Sequence, residues 1–140
     1  MVRSRPLLGV VLLVVLGCVT GPGDFQVGTL TLTPLDTAPD PLPPPTATGA
    51  VAAAKVVGIF DRGTCGYSYT PKFSRQGVAL GVVIGITTGP TATTCASGPF
   101  VQYEVLFQAL SPGTYTIHIT IQDHTRNLNP EFQLEGVLVQ

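Results

Sequence analysis

Apolar side chains occupy every second position in three segments of the second half of this chain. The alternating residues are Val78, Leu80, Val82, Ile84 and Ile86, then Val101, Tyr103, Val105, Phe107 and Ala109, and then Tyr115, Ile117, Ile119 and Ile121. Because successive side chains of a β-strand point to opposite faces, a period of two predicts strands with one buried face. A last apolar segment, residues 132–139, changes phase near Gly136, where we expect a β-bulge.

Turn-forming residues separate these predicted strands. Ser111-Pro112-Gly113 and Thr87-Thr88-Gly89-Pro90 both contain the residue types that break a strand and reverse the chain. Strands with one face in water are typical of antiparallel sheets, and two small sheets can bury a common core about 10 Å thick. The sequence therefore predicts an all-β fold, a single antiparallel β-sandwich over residues 50–140.

Residues 18–49 have a different composition, rich in glycine, threonine and proline. Proline cannot donate to a regular hydrogen-bond ladder, and proline-rich chain prefers an extended polyproline II conformation. This segment is therefore predicted to be a flexible linker that holds the folded part away from its attachment point. Thr29-Leu30-Thr31-Leu32-Thr33 alternates and could instead pair as a strand, but the composition favours the linker.

The first 17 residues have the organisation of a secretory signal. Arg3 and Arg5 precede the apolar residues 7–16, and Gly17 supplies a small residue before Cys18. These ten apolar residues are too few to cross the hydrocarbon core of a bilayer, which takes about 20. Residues 1–17 are therefore predicted to be a cleaved signal peptide.

The run Val15-Leu16-Gly17-Cys18 resembles the lipobox of bacterial lipoproteins. Val15, Gly17 and Cys18 match its pattern, whereas Leu16 is bulkier than the usual residue at that position. The resemblance implies that Cys18 becomes the first residue of the mature protein and carries acyl chains that anchor it to a membrane of the cell envelope. Val19 follows the cysteine where inner-membrane retention signals carry Asp, so the family's sorting rule favours the outer membrane in a host that has one. A plain cleaved signal that contains a cysteine is the alternative.

The chain has three cysteines, an odd number that an exported protein must accommodate. With Cys18 acylated, as the resemblance implies, Cys65 and Cys95 remain as a pair in an oxidising compartment, and we expect a disulfide between them. Closing a loop of about 30 residues would stabilise the fold by roughly 3 to 4 kcal/mol on the chain-entropy model. A reactive thiol or a metal ligand at Cys65 is the alternative.

The run Leu110-Ser111-Pro112-Gly113-Thr114-Tyr115 resembles the start of a late strand in many immunoglobulin-like and fibronectin-like sandwiches of exported bacterial proteins. The resemblance implies that Tyr115 forms a tyrosine corner, in which its hydroxyl bonds to nearby backbone. Position 117 is isoleucine, so the second cysteine of antibody domains is absent. The predicted disulfide is therefore not of the antibody type.

Composition and motifs exclude several classes of function. The formal charge is −1 for the whole chain and −3 without residues 1–17, because Arg3 and Arg5 are removed; without a basic stripe a nucleic-acid partner is not expected. No nucleotide-binding, hydrolase or zinc-protease motif occurs. His118, Asp123 and His124 could be imagined around a zinc ion, but strand alternation directs His118 away. We expect no cofactor or metal, and Glu104, Glu131 and Glu135 to be surface residues.

Three functional hypotheses follow from these observations. The first is a non-enzymatic, lipid-anchored envelope protein whose sandwich binds an envelope protein or a polysaccharide through the loops at residues 61–71, 87–99 and 123–130, because loops on rigid scaffolds usually carry contacts. The alternative is a small exported hydrolase or metal-binding protein. In the third, an exposed strand edge pairs with another copy of the chain, and the sequence leaves the oligomeric state open.

Overall fold

The computed structural model describes residues 28–89 and 98–140, which contain only β-strands, turns and loops. Eight strands form two four-stranded sheets. The first sheet has the order β1-β6-β3-β2 and the second the order β4-β5-β7-β8. The strands are β1 (Gly28–Leu35), β2 (Thr46–Ala50), β3 (Ala53–Phe60), β4 (Tyr67–Gln76), β5 (Ala79–Thr88), β6 (Phe100–Phe107), β7 (Gly113–Asp123) and β8 (Glu131–Val139). The predicted all-β sandwich is confirmed.

The core lies between the two sheets and consists largely of the alternating residues. Leu80 to Ile86 on β5, Val101 to Phe107 on β6 and Tyr115 to Ile121 on β7 bury every second side chain. Two positions differ from the prediction, because their strands are shorter than the pattern. Val78 is exposed in the turn before β5, and Ala109 is exposed beyond β6 with a φ of 55°.

The N-terminal part of the predicted linker belongs to the sandwich. β1 pairs with β6 from Gly28 to Leu35, and its Leu30 and Leu32 pack on the core while the alternating threonines face out. β2 pairs with β3 in the same sheet. The linker prediction is therefore wrong from residue 28 onward, because β1 satisfies backbone groups that the buried strand β6 would otherwise leave unpaired.

One strand pair differs from the predicted antiparallel arrangement. β5 and β7 run parallel, with Leu80 opposite Ile117 and Ile84 opposite Ile121. Parallel neighbours need a crossover connection. Strand β6 is this crossover connection. After β5 the chain leaves the second sheet, forms β6 in the first sheet and returns to the second sheet, where β7 starts at the same end of the sandwich as β5.

The two sheets approach closely where β2 faces β8. A side chain at Gly49 would collide with the Leu138 carbonyl oxygen, so only glycine fits there. The Ala52 N–H donates to the Gln140 carbonyl at 2.8 Å and the Gln140 N–H to the Ala50 carbonyl at 3.1 Å. The turn between β2 and β3 is thereby fastened to the end of β8.

Two local predictions about the last strands are confirmed. The pairing of β7 with β8 shifts register between Tyr115 and Ile117, and Gly136 has a φ of 70° at the predicted bulge. The Tyr115 hydroxyl donates to the Ser111 carbonyl at 2.8 Å, which is the backbone bond that the resemblance implied.

The sandwich has two ends with different composition. The "Asp123 end" contains the last residues of β3, β5 and β7 together with segments 36–45, 61–66 and 124–130. The "Gly28 end" contains the start of β1, the turns at 51–52 and 77–78, and segment 108–112. No helix in the described part of the chain has the length and hydropathy needed to span a membrane.

Candidate functional site

The structure gathers most of the predicted contact loops at the Asp123 end, but the first of them is shorter than predicted, because residues 67–71 begin strand β4. β3 ends at Phe60 and is followed directly by Asp61 and Arg62, while β7 ends at Asp123. Residues 87–89 lie beside them, since the Gly89 N–H donates to the Gly66 carbonyl at 2.9 Å and the His124 N–H to the Ile86 carbonyl at 3.0 Å. Residues 90–97 lie outside the described part of the chain.

A group of charged side chains joins two of these loops. We call it the Asp123 cluster, and it comprises Asp61, Arg62, Asp123, Thr125 and Arg126. Asp123 is 3% exposed and Arg62 is 9% exposed, and an Arg62 guanidinium nitrogen lies 2.9 Å from the Asp123 carboxylate. Arg126 donates its Nε to the same carboxylate at 2.8 Å and both terminal nitrogens to Asp61 at 2.8 and 2.6 Å.

Hydrogen bonds from the following residues complete the coordination of Asp123. Its Oδ1 accepts from the Thr125 N–H at 3.0 Å, the Thr125 hydroxyl at 2.6 Å and the Arg126 N–H at 3.2 Å. This is the local turn that an aspartate forms with the backbone that follows it. Arg62 also donates to the Thr125 hydroxyl. The buried carboxylate thus has a partner on every side.

These contacts shift the pKa values of both aspartates. Burial by itself would raise the pKa of Asp123, but the hydrogen bonds from Thr125 and Arg126 and the charge of Arg62 outweigh it and hold the pKa at about 2. The hydrogen bond from Arg126 also lowers the pKa of Asp61. Both carboxylates are therefore ionised at neutral pH, and the charges of the cluster compensate one another.

We expect the protein to lose stability as the pH falls from about 4 to about 2, the interval between the ordinary pKa of 3.8 and the folded value. The unfolded chain takes up its proton first, so the stabilisation by ionised Asp123 is complete above this interval and lost below it. The loss should amount to about 2 to 3 kcal/mol. Urea unfolding at a series of pH values measures it, with Asp123→Asn as the control that lacks this part of the slope. Identical slopes for both proteins would contradict the assignment.

An aromatic wall supports the cluster. The Arg62 guanidinium lies over the Tyr67 ring, 4.5 Å from its centroid. The Tyr69 hydroxyl donates to the Gly63 carbonyl at 2.8 Å, and its ring packs on Phe60 with centroids 5.1 Å apart. Burial raises the pKa of Tyr69 to about 12, so its hydroxyl keeps its proton and remains a donor.

A cleft of about 380 Å³ opens beside the cluster, between the ends of the two sheets. Segment 42–45, which contains three consecutive prolines, forms one wall. The apolar side chains of its other walls that are at least partly exposed include Ile59, Leu128 and Phe132, and the buried core residues Phe60, Ile86, Tyr103 and Ile121 lie behind them. Asp61, Asp123 and Arg126 contribute the charged border. The cleft therefore offers a ligand apolar surface next to ion pairs that are already satisfied.

The sulfur sites predicted from the sequence are only partly placed. Cys65 is half-buried in the segment between Asp61 and β4. Cys95 and Cys18 lie outside the described residues, so the disulfide and the acylation stay predictions.

The other sequence candidates do not come together. His118 is exposed on the outer face of β7, opposite Gly81 and Gln133, and His124 is exposed beyond the end of that strand. Asp123 forms ion pairs with Arg62 and Arg126 and not with the two histidines. Within residues 28–89 and 98–140 no group of three or more potential ligands could hold a metal ion.

The predicted surface glutamates are confirmed as surface residues. Glu104 faces Lys55 at 4.0 Å on the outside of the first sheet. Glu131 and Glu135 are exposed on β8, and Glu135 accepts a hydrogen bond from Gln133 at 2.7 Å.

Sequence reasoning missed Arg62 and Arg126 as members of the site. One signal could have indicated their importance, since charged residues make up only 11% of the chain and two arginines stand within or beside loops that also carry aspartates.

Comparison with protein-family models finds no match, and comparisons with curated proteins and with solved structures find no similar protein.

Proposed function

We propose that this chain is a lipoprotein of the cell envelope, anchored through acylated Cys18, whose β-sandwich is a non-catalytic binding module. The cleft at the Asp123 end takes up an apolar segment of an envelope protein. The anchor places the module in the outer membrane where the host has one, because Val19 follows the cysteine. The proposal rests on the lipobox resemblance for location and on the cleft for binding.

The observation that carries the binding role is the apolar lining of the cleft. Ligand sites are typically concave, about 300 to 1,000 Å³ in volume, and mostly apolar with a few polar groups. The cleft has this size and lining. Its polar border is occupied by internal ion pairs, so the binding energy available to a ligand comes from burying apolar groups.

The charge around the cleft favours one kind of partner. Segments at the Asp123 end carry more acidic than basic side chains, namely Asp36, Asp40, Asp61, Asp123 and Glu131 against Arg62 and Arg126. Complementary potentials steer partners and select among them. We therefore infer that the apolar segment of the partner is bordered by lysine or arginine.

The chemistry of the cluster supports binding rather than catalysis. A general base works best when its pKa is near the operating pH. The Asp123 pKa of about 2 is far below neutrality, and the carboxylate is held by two arginines. These ion pairs instead connect the loops that form the walls of the cleft.

We expect the mature protein in phosphatidylcholine vesicles to bind a short fluorescent peptide with leucine and phenylalanine at its centre and lysines at both ends. A peptide with the same centre and glutamates at its ends should bind about tenfold more weakly, a difference of about 1.4 kcal/mol. Fluorescence anisotropy measures both affinities, and the neutral headgroups do not attract the lysines.

Two variants with the same added charge locate the binding. Leu128 lines the cleft and Gln76 lies at the far end of β4. Leu128→Arg should lower the affinity for the lysine peptide, whereas Gln76→Arg should leave it unchanged. Equal affinities for the two peptides, or equal effects of the two variants, would exclude an apolar, basic protein segment as the occupant. If an envelope polysaccharide binds the protein and neither peptide does, the ligand of the cleft is a glycan.

A further inference from the structure

Large apolar side chains are exposed mainly at one end of the sandwich. Among the described residues, four are strongly exposed, and three of them, Val51 at 77%, Val78 and Leu138, lie at the Gly28 end. Leu128 lies at the opposite end, in the border of the cleft. Scattered apolar residues on a surface are ordinary, but these three are gathered on one end.

Two of these residues stand at the tips of tight turns. Val51 lies between β2 and β3, and Val78 between β4 and β5. Turn tips usually carry glycine, asparagine, aspartate, serine or proline, so two valines there are unusual. Both turns are fastened to the body of the sandwich, since the Leu110 N–H donates to the Ala52 carbonyl and the Thr116 N–H to the Val78 carbonyl, each at 3.0 Å.

The proposed anchor is connected to this same end. Gly28 pairs with Phe107 at the end of β6, and Phe107 also faces Ala54 at the start of β3. Nine residues, 19–27, separate Cys18 from Gly28, and that length of chain spans at most about 35 Å. The eleven residues of β7 extend over a similar distance, about 36 Å. A tether of this length attached at the Gly28 end therefore brings that end to the bilayer more readily than the cleft.

The charges agree with this orientation. The Asp123 end carries the excess of acidic side chains, including Asp36, Asp40 and Glu131, whereas Arg75 and Glu135 at the Gly28 end have opposite charges. Membranes that contain anionic lipids have a negative surface potential. Such a surface repels the Asp123 end and leaves the apolar turns of the Gly28 end free to approach.

We propose that the Gly28 end is a lipid-contacting surface, in which Val51, Val78 and Leu138 enter the membrane interface and the cleft is turned away from the bilayer. This proposal rests on the proposed anchor at Cys18. The occupant of the surface is the lipid bilayer itself. Short apolar contacts of this kind add to the membrane affinity of acyl chains and set the orientation of the anchored domain.

The absence of tryptophan from the chain allows a direct test. Tryptophan is introduced singly at Val51, at Val78 or, as the matched control, at Leu128, which is 50% exposed at the other end. Each full-length variant is matured and reconstituted in phosphatidylethanolamine and phosphatidylglycerol vesicles whose acyl chains carry bromine, a short-range quencher. We expect quenching to be several-fold stronger for Val51→Trp and Val78→Trp than for Leu128→Trp.

Flotation of the same vesicles separates the two proposals. If the proteins float but all three tryptophans are quenched alike, the anchor stands and the lipid contact is overturned. If the proteins do not float, the anchor fails and the lipid contact fails with it. As a second measurement, Val51→Asp together with Val78→Asp should reduce the quenching of a tryptophan at Leu138 several-fold without reducing flotation, and unchanged quenching would also overturn the contact.

Discussion

Asp123→Asn is expected to lower the free energy of unfolding at neutral pH by about 3 kcal/mol, the lower end of the usual cost of removing one partner of a buried ion pair and close to the cost of protonating the same carboxylate. Asparagine has nearly the same shape, so packing is kept while the charge is lost. Arg62, 9% exposed, then remains as a buried cation, and Arg126 loses one of its two carboxylate partners. Urea unfolding followed by circular dichroism measures the change.

Asp61→Asn is the matched control for this prediction. Asp61 also pairs with Arg126, but its side chain is 47% exposed. Water compensates an exposed charge that loses its partner, so exposed pairs contribute about 0 to 1 kcal/mol. If the two variants lose equal stability, the burial of Asp123 is not the reason that its carboxylate stabilises the fold.

Cys18→Ser is expected to abolish both acylation and maturation. The lipobox resemblance makes the Cys18 thiol the site of acylation, and a serine hydroxyl cannot take its place in a thioether. Metabolic labelling with radioactive palmitate should mark the wild-type protein and leave the variant unlabelled, and the variant should keep residues 1–17.

Cys65→Ser and Cys95→Ser are the controls for labelling. Both should remain labelled, because their predicted role is the disulfide and not the anchor. Normal maturation of Cys18→Ser, or loss of label in Cys65→Ser, would contradict the assignment of the three cysteines.

The Asp123 cluster connects stability to the proposed binding. Arg126 and Asp61 are 65 positions apart in the chain, and their contact holds segment 124–130 against the residues that follow β3. Both segments contribute to the cleft. The cluster therefore keeps the walls of the cleft in position without using its own charges on the ligand.

Much of the segment predicted to be a linker belongs to the sandwich. Residues 28–35 and 46–50 are strands of the sandwich, so nine residues remain between Cys18 and the fold. A long stalk would leave the orientation of the domain free. With the proposed anchor at Cys18, a connection of nine residues to the Gly28 end would restrict the orientation of the domain, and the apolar turns at that end would then face the bilayer.

Strands and core residues could be predicted from the sequence wherever the relevant physics is local. The alternation in β5, β6 and β7, the bulge at Gly136 and the tyrosine corner at Tyr115 each depend on neighbouring residues, and the structure confirms them. The contact loops could be located in part for the same reason, because turn residues interrupt the alternation, but residues 67–71 of the first predicted loop belong to β4.

The remaining features depend on parts of the chain that meet only after folding. Thr29 to Thr33 form a strand because β6 has a free edge for them, and β5 pairs in parallel with β7 because β6 crosses to the other sheet. Arg62 and Asp123 are far apart in sequence, and no local pattern indicates that they share a buried site. Side-chain periodicity is set by backbone geometry within a few residues, whereas strand partners and ion pairs are selected by the burial and hydrogen bonding of the whole sandwich.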